Sequence, residues 1–85
     1  MLNANIITAL ASVAKKHDSD REAASFVEEA RGIEGLHIVE FTAGDNSRFE
    51  IVEEQSGDLV MSILNDEDWW KNCTSSIAYL QAKGA

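Results

Sequence analysis

No proline occurs among the 85 residues, and there is one cysteine, Cys73. A lone cysteine excludes an internal disulfide, the usual staple of small secreted domains. A reducing compartment, the cytoplasm, is therefore expected. Basic residues are scarce too. Seven Lys and Arg face fifteen Asp and Glu, a formal charge of −8. A chain so acidic cannot grip a phosphate backbone without a local basic patch, so direct nucleic-acid binding is not expected. Long apolar runs are also missing. Met1 to Ala14 is apolar, but Asn3, Asn5, Thr8 and Ser12 interrupt it and no Lys or Arg precedes it. That pattern predicts neither a signal peptide nor a membrane span.

Motifs that carry chemistry are equally sparse. The glycines at 32, 35, 44, 57 and 84 match no nucleotide fingerprint. His17, His37 and Cys73 do not have zinc spacing, and nothing in their spacing makes a Cys–His pair. Asp18, Asp20, Glu22 and Glu29 resemble positions one, three, five and twelve of a calcium loop. The sixth place needs glycine and holds Ala23, so helix capping explains these residues better. Asp66, Glu67 and Asp68 are consecutive, and about 100° of turn per helical residue spreads their carboxylates apart. No cofactor, no metal and no enzymatic activity are expected.

What is present is a globular balance, with 45% hydrophobic and 26% charged residues. The length suits one small domain, residues 1–85. Ile6, Ile7, Leu10, Val13 and Ala14 recur at helical spacing, predicting a first helix over about Asn5 to His17. Lys15 and Lys16 oppose its negative end. Ser19 and Glu22 fit a capping box for a second helix with Ala23, Phe26, Val27 and Ala30 on its apolar face. Gly32 and Gly35 end it. Three strands follow, Leu36–Ala43, Ser47–Glu54 and Asp58–Leu64. Gly44-Asp45-Asn46 and Gln55-Ser56-Gly57 read as three-residue turns, with Asn46 and Gly57 at the positive-φ places. A last helix begins near Asn65 or Asp66, with Trp70, Cys73, Ile77 and Leu80 on its stripe. The expected fold is a two-layer α+β domain of order α-α-β-β-β-α, with a three-stranded antiparallel meander.

Three-residue turns place Val39, Ile51 and Met61 in one core row and Phe41, Phe49 and Ile63 in the next, with His37, Glu53 and Leu59 beyond. The opposite face then carries an apolar row of Ile38, Val52 and Val60. Beside it Glu40 and Glu50 face each other, which like charges do at a cost. Either a helix covers this face, or it is a docking surface rimmed by carboxylates. Trp69 falls at the boundary of the last helix and is a candidate aromatic anchor.

Charge is concentrated in the middle of the chain. Residues 22–68 hold thirteen acids against Arg31 and Arg48, a balance of −11, while the two ends balance at +1 and +2. Small acidic inhibitors of nucleic-acid-handling proteins, DNA mimics and anti-CRISPR-type phage proteins among them, look similar in overall composition. That likeness is compositional, and no segment matches a family motif. The expected function is a non-enzymatic, cytoplasmic regulator or inhibitor binding a protein with a basic surface. Its expected partner-binding residues are Glu40, Glu50, Glu54, Ile38, Val52, Val60 and Trp69. The alternative is a module that homodimerises through its sheet face. A minor ligand-binding domain or enzyme comes third.

Overall fold

The computed structural model describes residues 3–44 and 46–84. Helix α1 spans Ala4–Lys16 and α2 spans Ala24–Ala30. Strands β1 (Leu36–Ala43), β2 (Asn46–Glu53) and β3 (Leu59–Leu64) form one antiparallel sheet in the order β1-β2-β3. Helix α3 (Trp69–Gly84) closes the chain. The order is the α-α-β-β-β-α expected from periodicity.

Helix α1 starts on Asn3, whose side chain accepts from the Asn5 N–H at 2.7 Å, satisfying an otherwise orphaned donor. Its buried residues Ile7, Leu10, Val13 and Ala14 form one stripe. Helix α2 is shorter than the capping box implied. It begins after Ala23, which makes no side-chain cap, and Ser19 lies in a turn. A chemical reason for the delay lies at Asp20. Its carbonyl accepts the Trp69 indole N–H at 2.8 Å, and its carboxylate faces His17. The segment is held by the neighbouring elements rather than by its own cap.

All helices lie on one side of the sheet, giving two layers around one core. The core joins Leu10, Phe26, Val27, Ile51, Ile63, Cys73 and Ile77 from both layers. Trp69 is fully buried and stacks on Phe26, ring centroids 5.4 Å apart. This corrects the expectation for α3. Trp69, not Trp70, heads the stripe that runs through Cys73 to Ile77, and Trp70 is half-buried. Both are at helical spacing from Cys73, and the Phe26 ring and Asp20 carbonyl select Trp69. Burial pushes the Cys73 thiol pKa up to about 12, so it is a packing residue without thiolate character.

The β2–β3 pairing follows expectation at Phe49 opposite Ile63 and Ile51 opposite Met61. It then shifts by one, so that Val52 meets Leu59 and Val60 is the extra residue of a bulge. The β1–β2 pairing differs throughout. Ala43 pairs with Asn46, leaving two residues in the turn instead of three. Gly44 adopts φ +61, a conformation open to glycine and suited to a two-residue hairpin, and no described non-glycine residue, Asn46 included, has positive φ. Asp45 lies outside the described residues. One residue fewer in the turn slips β1 by one position and turns every β1 side chain to the other face.

Candidate protein-binding face

The slip rebuilds the outer sheet face. Ile38 lies opposite Ile51 and is buried among the core residues, together with Leu36. It is not available to a partner. Val39 and Phe41 take the outer side instead, and Phe41 is 43% exposed. Three cross-strand rows result. His37, Val52 and Leu59 form one, Val39, Glu50 and Ser62 the second, Phe41, Arg48 and Leu64 the third. His37 thus meets Val52 rather than Glu53. Among the described residues, no helix covers these rows. Leu59 and Leu64 are 56% and 49% exposed, and Val39 and Val52 are half-buried. The face is an open apolar field, of the kind that marks interaction sites when polar groups rim it.

The expected pair of opposed glutamates does not exist. Glu40 pairs with Phe49 and belongs to the core-facing side of β1, where it is exposed. Glu50 stays on the outer face and accepts from the Arg48 guanidinium at 3.3 Å. Arg48 in turn lies 4.9 Å above the Phe41 ring, a cation–π contact. The centre of the face is therefore charge-balanced, and acids stand at its ends. Glu53, Glu54 and Asp58 are at one end, with Glu54 anchored by its N–H to the Gly35 carbonyl at 2.9 Å. Asp66 and Asp68 are at the other, just past β3, where the Asp66 carboxylate caps the Asp68 N–H at 3.0 Å.

Of the expected docking residues, Val52 and Glu50 share the outer face. Val60 sits in the bulge, half-buried against the core, and lines a groove toward α3. Trp69 is interior and cannot anchor a partner. The outer-face residues that the sequence reading put on the core side are Val39, Phe41 and Leu59. A Gly-Asp pair between two strands is itself a two-residue turn signal, and reading it so would have found Phe41 and Val39.

A second cluster joins α1 to α2. The His17 imidazole is held between two carboxylates, Nδ1 2.9 Å from Asp20 and Nε2 3.0 Å from Glu29. Lys16 donates to the same Glu29 at 2.7 Å. Only the imidazolium can donate from both nitrogens. The hydrogen bond to Glu29, then that to Asp20, raises the His17 pKa above its ordinary 6.5. The bond from Lys16, then that from His17, lowers Glu29 below 4.5. A raised histidine pKa adds stability that is complete below 6.5 and disappears as pH rises through the folded value. A lowered glutamate pKa adds stability present above 4.5 and lost as pH falls through the folded value. The clamp is strongest between those limits. His17→Gln should lower stability near pH 5.5–6 and have a smaller effect near pH 9, in urea melts across that range. An equal loss at both pH values contradicts an imidazolium clamp.

Among the described residues no helix is long and apolar enough to cross a membrane. Comparison with known proteins returned nothing similar, since no family model, no curated protein and no solved structure matches the chain.

Proposed function

We propose that the protein is a small acidic regulator or inhibitor, not an enzyme, that acts by binding another protein in the cytoplasm. Its partner carries a basic surface, of the kind found on nucleic-acid-handling proteins. The observation that supports this most is the uncovered sheet face. Phe41, Leu59 and Leu64 are exposed on it in a chain of formal charge −8, with carboxylates at both ends. Apolar contact supplies affinity, while the single-sign surround speeds encounter with a basic partner and repels acidic ones. The lone, buried Cys73 is consistent with a reducing compartment.

The test is capture from lysate of a native host with wild-type protein and a Phe41→Asp, Leu64→Asp variant, at two salt concentrations. The expected result is one set of proteins that falls away both with the variant and at higher salt. Both side chains are exposed, so the variant should stay folded, which its circular dichroism checks. An identical set from wild type and variant contradicts the proposal.

One observation favours a second reading. Arg48 and Glu50 are neighbours on the face, and a two-fold axis through it would let two copies exchange these partners. Sedimentation at micromolar concentration separates the two readings, because a concentration-independent monomer excludes the dimer.

A further inference from the structure

The two edges of the sheet are treated differently. Strand β1 is guarded. The Glu54 N–H to Gly35 carbonyl bond sets the alternation, so that Leu36, Ile38, Glu40 and Thr42 turn their backbone groups outward. The Leu36 N–H is taken by the Ile33 carbonyl at 3.3 Å. The Ile38 carbonyl is taken by the Arg31 guanidinium at 3.0 Å. Glu40 then places a charge on the core-facing side of the strand, a common device against edge pairing.

Strand β3 has none of these, and its one irregularity, the bulge at Val60, lies ahead of Ser62 and Leu64. Its six residues, Leu59-Val60-Met61-Ser62-Ile63-Leu64, include no charge and no proline. The Asn65 N–H to Ser47 carbonyl bond at 2.9 Å fixes Met61 and Ile63 toward β2, so Ser62 and Leu64 present their N–H and C=O groups outward. Among the described residues, no loop or side chain takes those groups. Beside the first two residues of β3, Leu59 and Val60, lies a groove of about 390 Å³ whose α3 wall includes Ser76, Tyr79 and Leu80, with Tyr79 61% exposed. An unguarded strand beside a helix groove is the arrangement by which domains take an extended peptide as an added strand.

Charge selects the occupant. Asp58 stands at the start of β3, and Asp66 and Asp68 stand just past its end. An antiparallel second copy centred on Ser62 would set Asp58 against Asp66 twice, a like-charge contact. Lys83, 5.9 Å above the Tyr79 ring, lines the groove on the helix side rather than at the strand ends. The complement is a short uncharged β-forming stretch with Lys or Arg at each end.

We propose that β3 binds such an extended, basic-flanked segment of a partner protein as a fourth strand, through Ser62 and Leu64. Alternate side chains of the segment enter the groove against Tyr79 and Leu80, and the others extend the open face beside Leu64. This rests on the proposed binding of a basic partner and adds the mode of docking.

The probe is a labelled ten-residue peptide, six alternating Val and Thr with two Lys at each end, read by fluorescence anisotropy and by amide exchange in NMR. Binding should slow exchange of the Ser62 and Leu64 amides. A Glu-flanked peptide should bind about tenfold more weakly or worse, and so should the Asp58→Asn, Asp66→Asn, Asp68→Asn variant on the Lys-flanked peptide. Asparagine keeps the Asp66 acceptor for the Asp68 N–H, so this variant should fold. Ser62→Pro, which removes an outward N–H, should abolish binding and Ser62→Ala should not. Should Ser62→Pro fail to fold, the exchange data on wild type still decide. Four results overturn the proposal. These are no binding by the Lys-flanked peptide, equal binding by the Glu-flanked one, binding without slowed exchange at Ser62 and Leu64, and slowed exchange that follows protein concentration without peptide. The third leaves a basic partner on the open face standing, and capture with Phe41→Asp alone, a residue of β1 outside the proposed docking strand, tests that reading separately.

Discussion

Trp69→Ala is expected to destabilise the protein by about 3–5 kcal/mol, the usual range for removing a large buried aromatic. Three losses combine there. The side chain is fully buried, so its apolar surface and its cavity both count. The stacked contact with Phe26 goes with it, and aromatic pairs add about 0.5–1.5 kcal/mol beyond area. The Asp20 carbonyl also loses the indole N–H that satisfies it at 2.8 Å. Folded domains are held by only about 0.05–0.15 kcal/mol per residue, which in a chain of 85 residues is of the same order as this loss, so the variant should be markedly less stable and partly unfolded at room temperature. Trp70→Ala, at the half-buried neighbour, should cost clearly less. Urea melts and near-ultraviolet circular dichroism compare the two. Equal effects at both positions contradict the assignment of Trp69 to the core.

Ile38→Asp should unfold the protein, whereas Val39→Asp should leave it folded. Ile38 is buried against Ile51, and an unpaired carboxylate there has no polar partner. Burying a polar group without a hydrogen bond costs about 1–3 kcal/mol by mutational measures, and a charge costs more. Lost packing of the isoleucine adds to this. Val39 lies half-buried on the outer face opposite Glu50, so a carboxylate there reaches water and loses about 0.2–1 kcal/mol to the facing like charge, less than at Ile38. The pair reads the register directly. With a three-residue first turn the two outcomes would be exchanged, since Val39 would then be the core residue and Ile38 the surface one. Amide proton dispersion in NMR distinguishes folded from unfolded in each case.

That register is where sequence and structure part. The β1 segment Leu-His-Ile-Val-Glu-Phe-Thr-Ala carries apolar residues at both parities, Leu36 and Ile38 on one, Val39 and Phe41 on the other. Its alternation does not choose a face. The choice passes to the turn, and one residue of turn length reverses it. In β2 and β3 the parity is clear at Phe49, Ile51, Met61 and Ile63, and the expected core rows there are the observed ones. The candidate site suffers most from this. Ile38 and Trp69 are interior, Glu40 and Glu50 lie on opposite sides of the sheet, and Phe41 and Leu64 replace them outside. The capping box fails for a different reason. Ser19 and Glu22 have the right spacing, but Asp20 is occupied by Trp69, remote in sequence on α3, and by His17 just past the end of α1.

Element order, single-domain scale, the acidic middle and the apolar stripes of α1 and α2 are legible in the chain alone. These follow from local periodicity and composition, which act over a few neighbouring residues. Which tryptophan enters the core, which face of β1 is covered and which sheet edge is left open are set by packing across the fold. Each of those choices compares two locally equivalent arrangements. Their energies differ only through distant partners, Phe26 and Asp20 for Trp69, Ile51 for Ile38, and Arg31 for the guarded edge of β1.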